Sequence, residues 1–191
     1  INKSLGKLGE AIEAYNEALS LKPDFAEAYF NIGITLHDQG KLDEEIEAYK
    51  KALLIKPGNA EAYNNMGIAL QEQGKLDKAI DSYKKAFSIK PNYVEAYCNM
   101  GIVLQEQGKL EEATESYKKA LLHNPNYAEA YYNMGIAYKA QGKLDKAIDS
   151  YKKAISLKPN FAKAYNNIGL KSSWKIWLIY ILKVCFKKLY P

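Results

Sequence analysis

Five asparagines, Asn31, Asn65, Asn99, Asn133 and Asn167, recur at a constant step of 34 residues. Each amide carries one acceptor oxygen and two donor hydrogens, the complement of a peptide's own C=O and N–H groups. A row of them is equipped to hold an extended chain without reading its side chains. Packed helices stand about 8–10 Å apart and an extended chain advances about 3.3 Å per residue, so asparagines on successive helices would meet about every third ligand residue.

Around this row the residue types vary, and variation is where specificity is expected to lie. Units are counted from Ala26, Ala60, Val94, Ala128 and Ala162. The fifth residue then runs Phe30, Asn64, Cys98, Tyr132 and Asn166, and the twelfth runs His37, Gln71, Gln105 and Lys139. Acidic residues stand at the second position (Glu27, Glu61, Glu95, Glu129, with Lys163 last) and at the thirteenth (Asp38, Glu72, Glu106). This face is predicted to be acidic over most of its length and to suit a neutral or basic extended peptide. A parallel row, Ile34, Ile68, Ile102 and Ile136, is expected to pack mainly on neighbouring repeats.

Catalytic chemistry finds no comparable support. The chain has no G-x-x-x-x-G-K-[ST], G-x-G-x-x-G or G-x-S-x-G motif. His37 and His123 are too far apart in repeat order to share a metal, and His123 takes a place held elsewhere by Leu21, Ile55, Ile89 or Leu157. Cys98 and Cys185 form neither a disulfide framework nor a C-x-x-C motif, so a reducing compartment, the cytoplasm, is the default expectation. We expect no enzyme activity, no metal and no cofactor within these residues.

The elements that must position the asparagines are legible in the same period. Prolines fall at 23, 57, 91, 125 and 159, again 34 apart. The unit from Ala60 to Tyr93 reads AEAYNNMGIALQEQGKLDKAIDSYKKAFSIKPNY. Tyr63, Met66, Gly67 and Leu70 share one side of a first helix, and Ala79, Ile80, Tyr83, Ala86 and Phe87 form the apolar stripe of a second. Gly74 is placed to take the left-handed conformation that ends the first helix, and Pro91 stops the second just before it. Gly67 and Ala79 are small, which lets paired helices approach closely. Ala11, Ala79, Ala113 and Ala147 fill that second small site, but Glu45 stands in the same phase. A carboxylate there should cost stability unless it reaches water.

A 34-residue helix-turn-helix with aromatic-x-x-apolar-Gly, a mid-unit Ala, a later aromatic and a closing Pro resembles the tetratricopeptide repeat. Tyr29, Tyr63, Tyr97, Tyr131 and Tyr165 stand where that family often has Trp, and Gly33, Gly67, Gly101, Gly135 and Gly169 are kept. The resemblance implies an all-α fold, a right-handed superhelical solenoid of stacked helix-turn-helix repeats with a concave binding surface lined by first helices. The asparagine row resembles the one in the repeat superhelix of the protein O-linked N-acetylglucosamine transferases, where it grips substrate backbone. The expected organisation is a partial repeat at 1–25 (second helix only), full repeats at 26–59, 60–93, 94–127 and 128–161, the start of a degenerate repeat at 162–169, and a tail at 170–191. The chain opens at Ile1 in mid-unit, which reads as a cut edge with no signal peptide.

Charge separates the tail from the repeats. The formal charge is +5, from 27 lysines, no arginine and 22 acidic residues. Lys171, Lys175, Lys183, Lys187 and Lys188 lie in 170–191 with no acid beside them, so residues 1–169 are neutral overall. A nucleic-acid reading fails on the missing arginine, the main reader of guanine edges. The lysine pairs at 50–51, 84–85, 118–119 and 152–153 follow acids at helical spacing, as solvated outer faces do. The tail holds Trp174 and Trp177, and three readings of it stay open: a helix capping the array, a membrane-surface helix, or a frame-shifted end. Its longest apolar run, 176–182, is too short to span a bilayer. The function expected is a protein- or peptide-binding scaffold. The alternative is the substrate-recognition segment of a larger enzyme, such as a glycosyltransferase, with its catalytic domain outside this chain.

Overall fold

The computed structural model describes the backbone of residues 2–169 and side chains from Lys7 onward. The readings of the tail at 170–191 therefore lie outside the described residues. Among these there are ten α-helices and no strand. They are α1 Asn2–Leu21, α2 Ala26–Asp38, α3 Leu42–Ile55, α4 Ala60–Glu72, α5 Leu76–Ile89, α6 Val94–Glu106, α7 Leu110–His123, α8 Ala128–Ala140, α9 Leu144–Leu157 and α10 Ala162–Ile168. The described residues fall into two compact units, the first ending at His123 and the second beginning at Asn124.

In the first unit α2 pairs with α3, α4 with α5 and α6 with α7, and α4 and α6 also pack on the second helix of the preceding pair. In the second unit α8 pairs with α9, and α10 packs on α9. Each pair closes through a Gln-Gly-Lys turn. Gly40, Gly74, Gly108 and Gly142 adopt φ of 71°, 72°, 75° and 74°, a left-handed backbone that only glycine takes without steric cost. In the turn after α4, Gly74 N–H donates to the Gln71 carbonyl at 2.8 Å and Lys75 N–H to the Leu70 carbonyl at 2.9 Å, satisfying carbonyls that a helix end leaves open. Gly6 and Lys7, which stand in the phase of those turns, lie within α1, which runs unbroken from Asn2 to Leu21.

Close packing within each pair comes from a ring laid on a glycine. A Cβ added to Gly33, Gly67 or Gly101 would lie 2.5–2.6 Å from ring carbons of Tyr49, Tyr83 or Tyr117, and at Gly135 2.6 Å from Tyr151. These tyrosines are 0–1% exposed. The glycine is thus small to admit an aromatic ring of its partner helix, while Ala79, Ala113 and Ala147 are buried where the helices meet. Successive pairs in the first unit are tied at their turns. Gln73 Nε2 donates to Asp43 Oδ1 and Gln107 Nε2 to Asp77 Oδ1, both at 2.9 Å.

On the outer side, Lys51 and Lys85 stand over the rings of Tyr29 and Tyr63 at 5.6 and 5.5 Å, within cation–π range. Lys50 Nζ reaches Glu47 at 2.6 Å and Lys118 Nζ reaches Glu115 at 3.2 Å. Two of the paired-lysine sites thereby engage acids of their own helices.

Candidate functional site

The first helices of successive repeats meet through polar side chains. Asn99 Nδ2 donates to Asn64 Oδ1 at 3.0 Å, and Asn64 Nδ2 donates to Asn65 Oδ1 at 3.2 Å, linking α6 to α4. Gln71 Nε2 donates to Glu106 Oε1 at 2.6 Å across the same pair of helices. In the second unit, Asn167 Nδ2 donates to the Tyr132 hydroxyl at 3.3 Å. Asn31, Asn65, Asn99, Asn133 and Asn167 are all half-buried. Asn65, Asn99 and Asn167 therefore bridge to neighbouring side chains while keeping part of their surface toward solvent.

The fifth-position residues behave differently from one another. Asn64 and Cys98 are buried between helices at 5% and 4% exposure. Phe30 is half-buried against Tyr49, ring centroids 5.9 Å apart, and Tyr132 lies between Tyr151 and Phe161 at 5.9 and 4.8 Å. Asn166 is exposed. In the first unit this position builds the contact between helices more than an open face.

The twelfth position is coupled to the buried tyrosine of the same repeat. The Tyr117 hydroxyl donates to Gln105 Oε1 at 2.8 Å and the Tyr83 hydroxyl to Gln71 Oε1 at 3.3 Å. Where Lys139 replaces glutamine, the buried Tyr151 hydroxyl has no partner among the described residues. Burial pushes the Tyr151 hydroxyl up to about 12. Burial likewise raises the Tyr83 and Tyr117 hydroxyls, helped by nearby acidic groups.

The repeat of α2 and α3 departs from this scheme at two positions together. His37 stands in place of the glutamine, and its Nδ1 lies 3.3 Å from Glu45 Oε2. Glu45 is 1% exposed, so the carboxylate that was expected to need water is instead enclosed beside an imidazole that is itself 42% exposed. Burial raises the Glu45 carboxyl above its ordinary value; His37 opposes that rise by charge and hydrogen bonding, while Glu72 and Asp38 add to it. Burial also raises the Tyr49 hydroxyl, with Glu45 adding to the rise and a hydrogen bond to Asn65 opposing it. Ile34, His37, Glu45, Tyr49, Asn65 and Ile68 line a hollow of about 130 Å³ on the first-helix side of this unit. Sequence reasoning marked His37 as a face residue and Glu45 only as a misplaced carboxylate. The signal that joins them is their simultaneous departure from the glutamine and alanine of the units at 60–93 and 94–127.

Acidic side chains flank the same face. Asp38, Glu72 and Glu106 are exposed, as are Glu27, Glu61 and Glu95. In the second unit Glu129 accepts from Lys158 Nζ at 2.8 Å, a bond that holds its carboxyl below the ordinary value. Among the described residues no group of His, Cys, Asp and Glu could hold a metal ion, and no helix is long and apolar enough to cross a membrane.

Known proteins place this architecture. Searched against curated protein sequences, the chain matches none. Among solved structures, MamA is 31% identical, with a TM-score of 0.76 over 84% of this chain and 94% of that one. YrrB, described as a TPR protein with an unusual peptide-binding site, is 26% identical, with a TM-score of 0.74 over 88% of this chain and 87% of that one. PilF of Pseudomonas aeruginosa shares the fold at 22% identity, with a TM-score of 0.76 over 97% of this chain and 86% of that one. A tetratricopeptide repeat family model matches residues 128–161, and a TPR repeat model matches 2–40, 35–74, 70–108 and 105–142. With these matches running through nearly every helix described above, the chain belongs to the tetratricopeptide repeat family.

Proposed function

We propose that this repeat array is a protein-interaction scaffold whose first-helix face holds an extended peptide. In the first unit, Asn31, Asn65 and Asn99 contact the ligand backbone. The observation that carries the reading is the half-buried state of these asparagines at one position of successive first helices. Asn99 gives one donor hydrogen to Asn64, and an amide has two, so bridging the helices and binding a peptide are compatible uses of one side chain. YrrB, with its peptide-binding site, supports a peptide as the ligand class. Exposed Asp38, Glu72 and Glu106 favour a neutral to basic sequence. The side chains at the twelfth position, His37, Gln71 and Gln105, add selectivity. Asn133 and Asn167 offer the same amides in the second unit.

The test is a peptide-array screen of the chain beside a variant with Asn31, Asn65 and Asn99 all changed to Ala. Binding should fall at least tenfold across otherwise unrelated bound sequences, with helicity by circular dichroism retained. Unchanged binding with intact helicity would remove the asparagines from the site. Binding that strengthens as acidic residues are added to the peptide would remove the charge preference.

A further inference from the structure

We propose that the hollow between α2, α3 and α4 receives one lysine or arginine side chain, with Glu45 as its counter-ion. The inference rests on the reading that a peptide lies along this face, and it fixes the chemistry of one ligand position. Three observations carry it. First, a carboxylate with 1% exposure has replaced an alanine at a helix contact, in the repeat that also lines this hollow. A buried carboxylate needs a charged or hydrogen-bonding partner to be tolerated. Second, the partner it has is a loose one. His37 approaches Glu45 Oε2 at 3.3 Å, longer than the roughly 2.7–2.9 Å of a charge-assisted N–H···O bond. Among the described contacts it is the sole hydrogen bond to this carboxylate. His37 is 42% exposed near the last turn of α2, so its ring has room to swing outward and leave the carboxylate to an incoming cation. Third, the shape and field of the hollow suit a long basic side chain. At about 130 Å³ it holds about four waters, each taking about 30 Å³ of liquid, or the end of one side chain. Ile34 and Ile68 offer apolar walls for the methylene stem, and the amide of Asn65 lines the hollow as well. Asp38 and Glu72 add negative potential at Glu45, and no lysine lines the hollow.

The equivalent places in the next two repeats lack the device. There Ala79 and Ala113 are fully buried, and the tyrosine hydroxyl is occupied by Gln71 or Gln105. The preference for a basic side chain is therefore local to one position along the ligand.

The experiment is an NMR titration of the full chain, labelled at isoleucine methyls. The probes are Nα-acetyl-lysine methylamide, Nα-acetyl-arginine methylamide and the uncharged norleucine analogue. Saturable shifts at Ile34 and Ile68 with at least one cationic probe, absent with norleucine and weakened at least tenfold in Glu45→Gln, are expected. Equal shifts with norleucine, shifts unchanged in Glu45→Gln, or no shift at these methyls would overturn the proposal. Glu45→Gln keeps the side-chain volume, and Glu45→Ala copies the other repeats, so one or the other separates folding from binding. A peptide array read on the same variants distinguishes the two proposals. Peptides bound with a basic preference that Glu45→Gln does not alter would sink the subsite and leave the peptide-binding face standing. Methyl shifts with the cationic probes but no bound peptide would do the reverse.

Discussion

The repeat of α2 and α3 and the repeat of α6 and α7 share a backbone plan and differ in what the buried tyrosine meets. In the second of these, Gln105, Ala113 and Tyr117 form a closed set: the alanine leaves room, the ring covers Gly101, and the hydroxyl reaches the glutamine at 2.8 Å. In the first, His37, Glu45 and Tyr49 share the same places, and the carboxylate takes the imidazole as its partner. The difference separates what the fold requires, a ring upon a glycine, from what it tolerates in one repeat. A self-sufficient polar contact has been exchanged for a buried ionisable group beside a small hollow. Such an exchange breaks the local rule that the other repeats keep, and positions of that kind are where functional sites are commonly found.

The shared part of the plan should give the largest effects. Gly101→Ala and Gly33→Ala both force a Cβ to within 2.5 Å of a ring carbon. Overpacking of this kind costs about 1–3 kcal/mol. Thermal melts should fall by a similar amount in the two variants; a much smaller loss at Gly33 would show that the hollow beside Tyr49 lets its ring retreat.

The exchanged part should give an opposite sign. Glu45→Ala should raise the melting temperature at neutral pH, by about 2–4 °C if the gain is about 1 kcal/mol. The sign follows from linkage. Burial raises the folded-state carboxyl above its unfolded value of 4.5, so stability is lost as the pH rises from 4.5 through the raised value, and the full cost of the buried charge is present above it. The advantage of alanine over ionised glutamate should therefore shrink as the pH falls toward 4.5 and vanish well below it, where the carboxyl is protonated in both states. The groups facing it are His37 and Asp38 on α2 and Glu72 on α4. Melts from pH 4 to pH 8 decide the matter, and a gain that grows toward acid pH would overturn the assignment. The double variant His37→Gln with Glu45→Ala rebuilds the closed set around Tyr49 and should exceed Glu45→Ala alone. Equal melts would show that Tyr49 does not adopt the Tyr117 arrangement.

Two tyrosine variants test the remaining contact with smaller effects. Tyr117→Phe removes a hydroxyl bonded at 2.8 Å and should cost about 0.5–1.5 kcal/mol. Tyr151→Phe removes a buried hydroxyl with no partner among the described residues and should be neutral or slightly stabilising in urea unfolding. A loss at Tyr151 as large as that at Tyr117 would show that its hydroxyl has a partner.

The repeat architecture was open to reading because a period of 34 residues carries its own punctuation. Gly74 is needed where the backbone takes a positive φ, and Pro91 where a helix must stop, so turn and helix ends follow from local chemistry alone. The asparagine row was visible for the same reason. What those amides touch was not, because Asn64 and Asn99 meet across 35 residues of chain and only packed helices bring them together. Gly67 was read correctly as small, yet the atom it makes room for is a ring carbon of Tyr83, which periodicity does not specify. Glu45 shows the division most clearly. Its sequence phase marked it as a carboxylate in an alanine's place, whereas its burial, its 3.3 Å approach to His37 and the hollow it shares with Ile34 and Ile68 arise from three helices meeting. Backbone conformation is governed by neighbours in sequence and could be read from it. The burial and field around a charged group are governed by neighbours in space, and the tertiary structure alone assigned them.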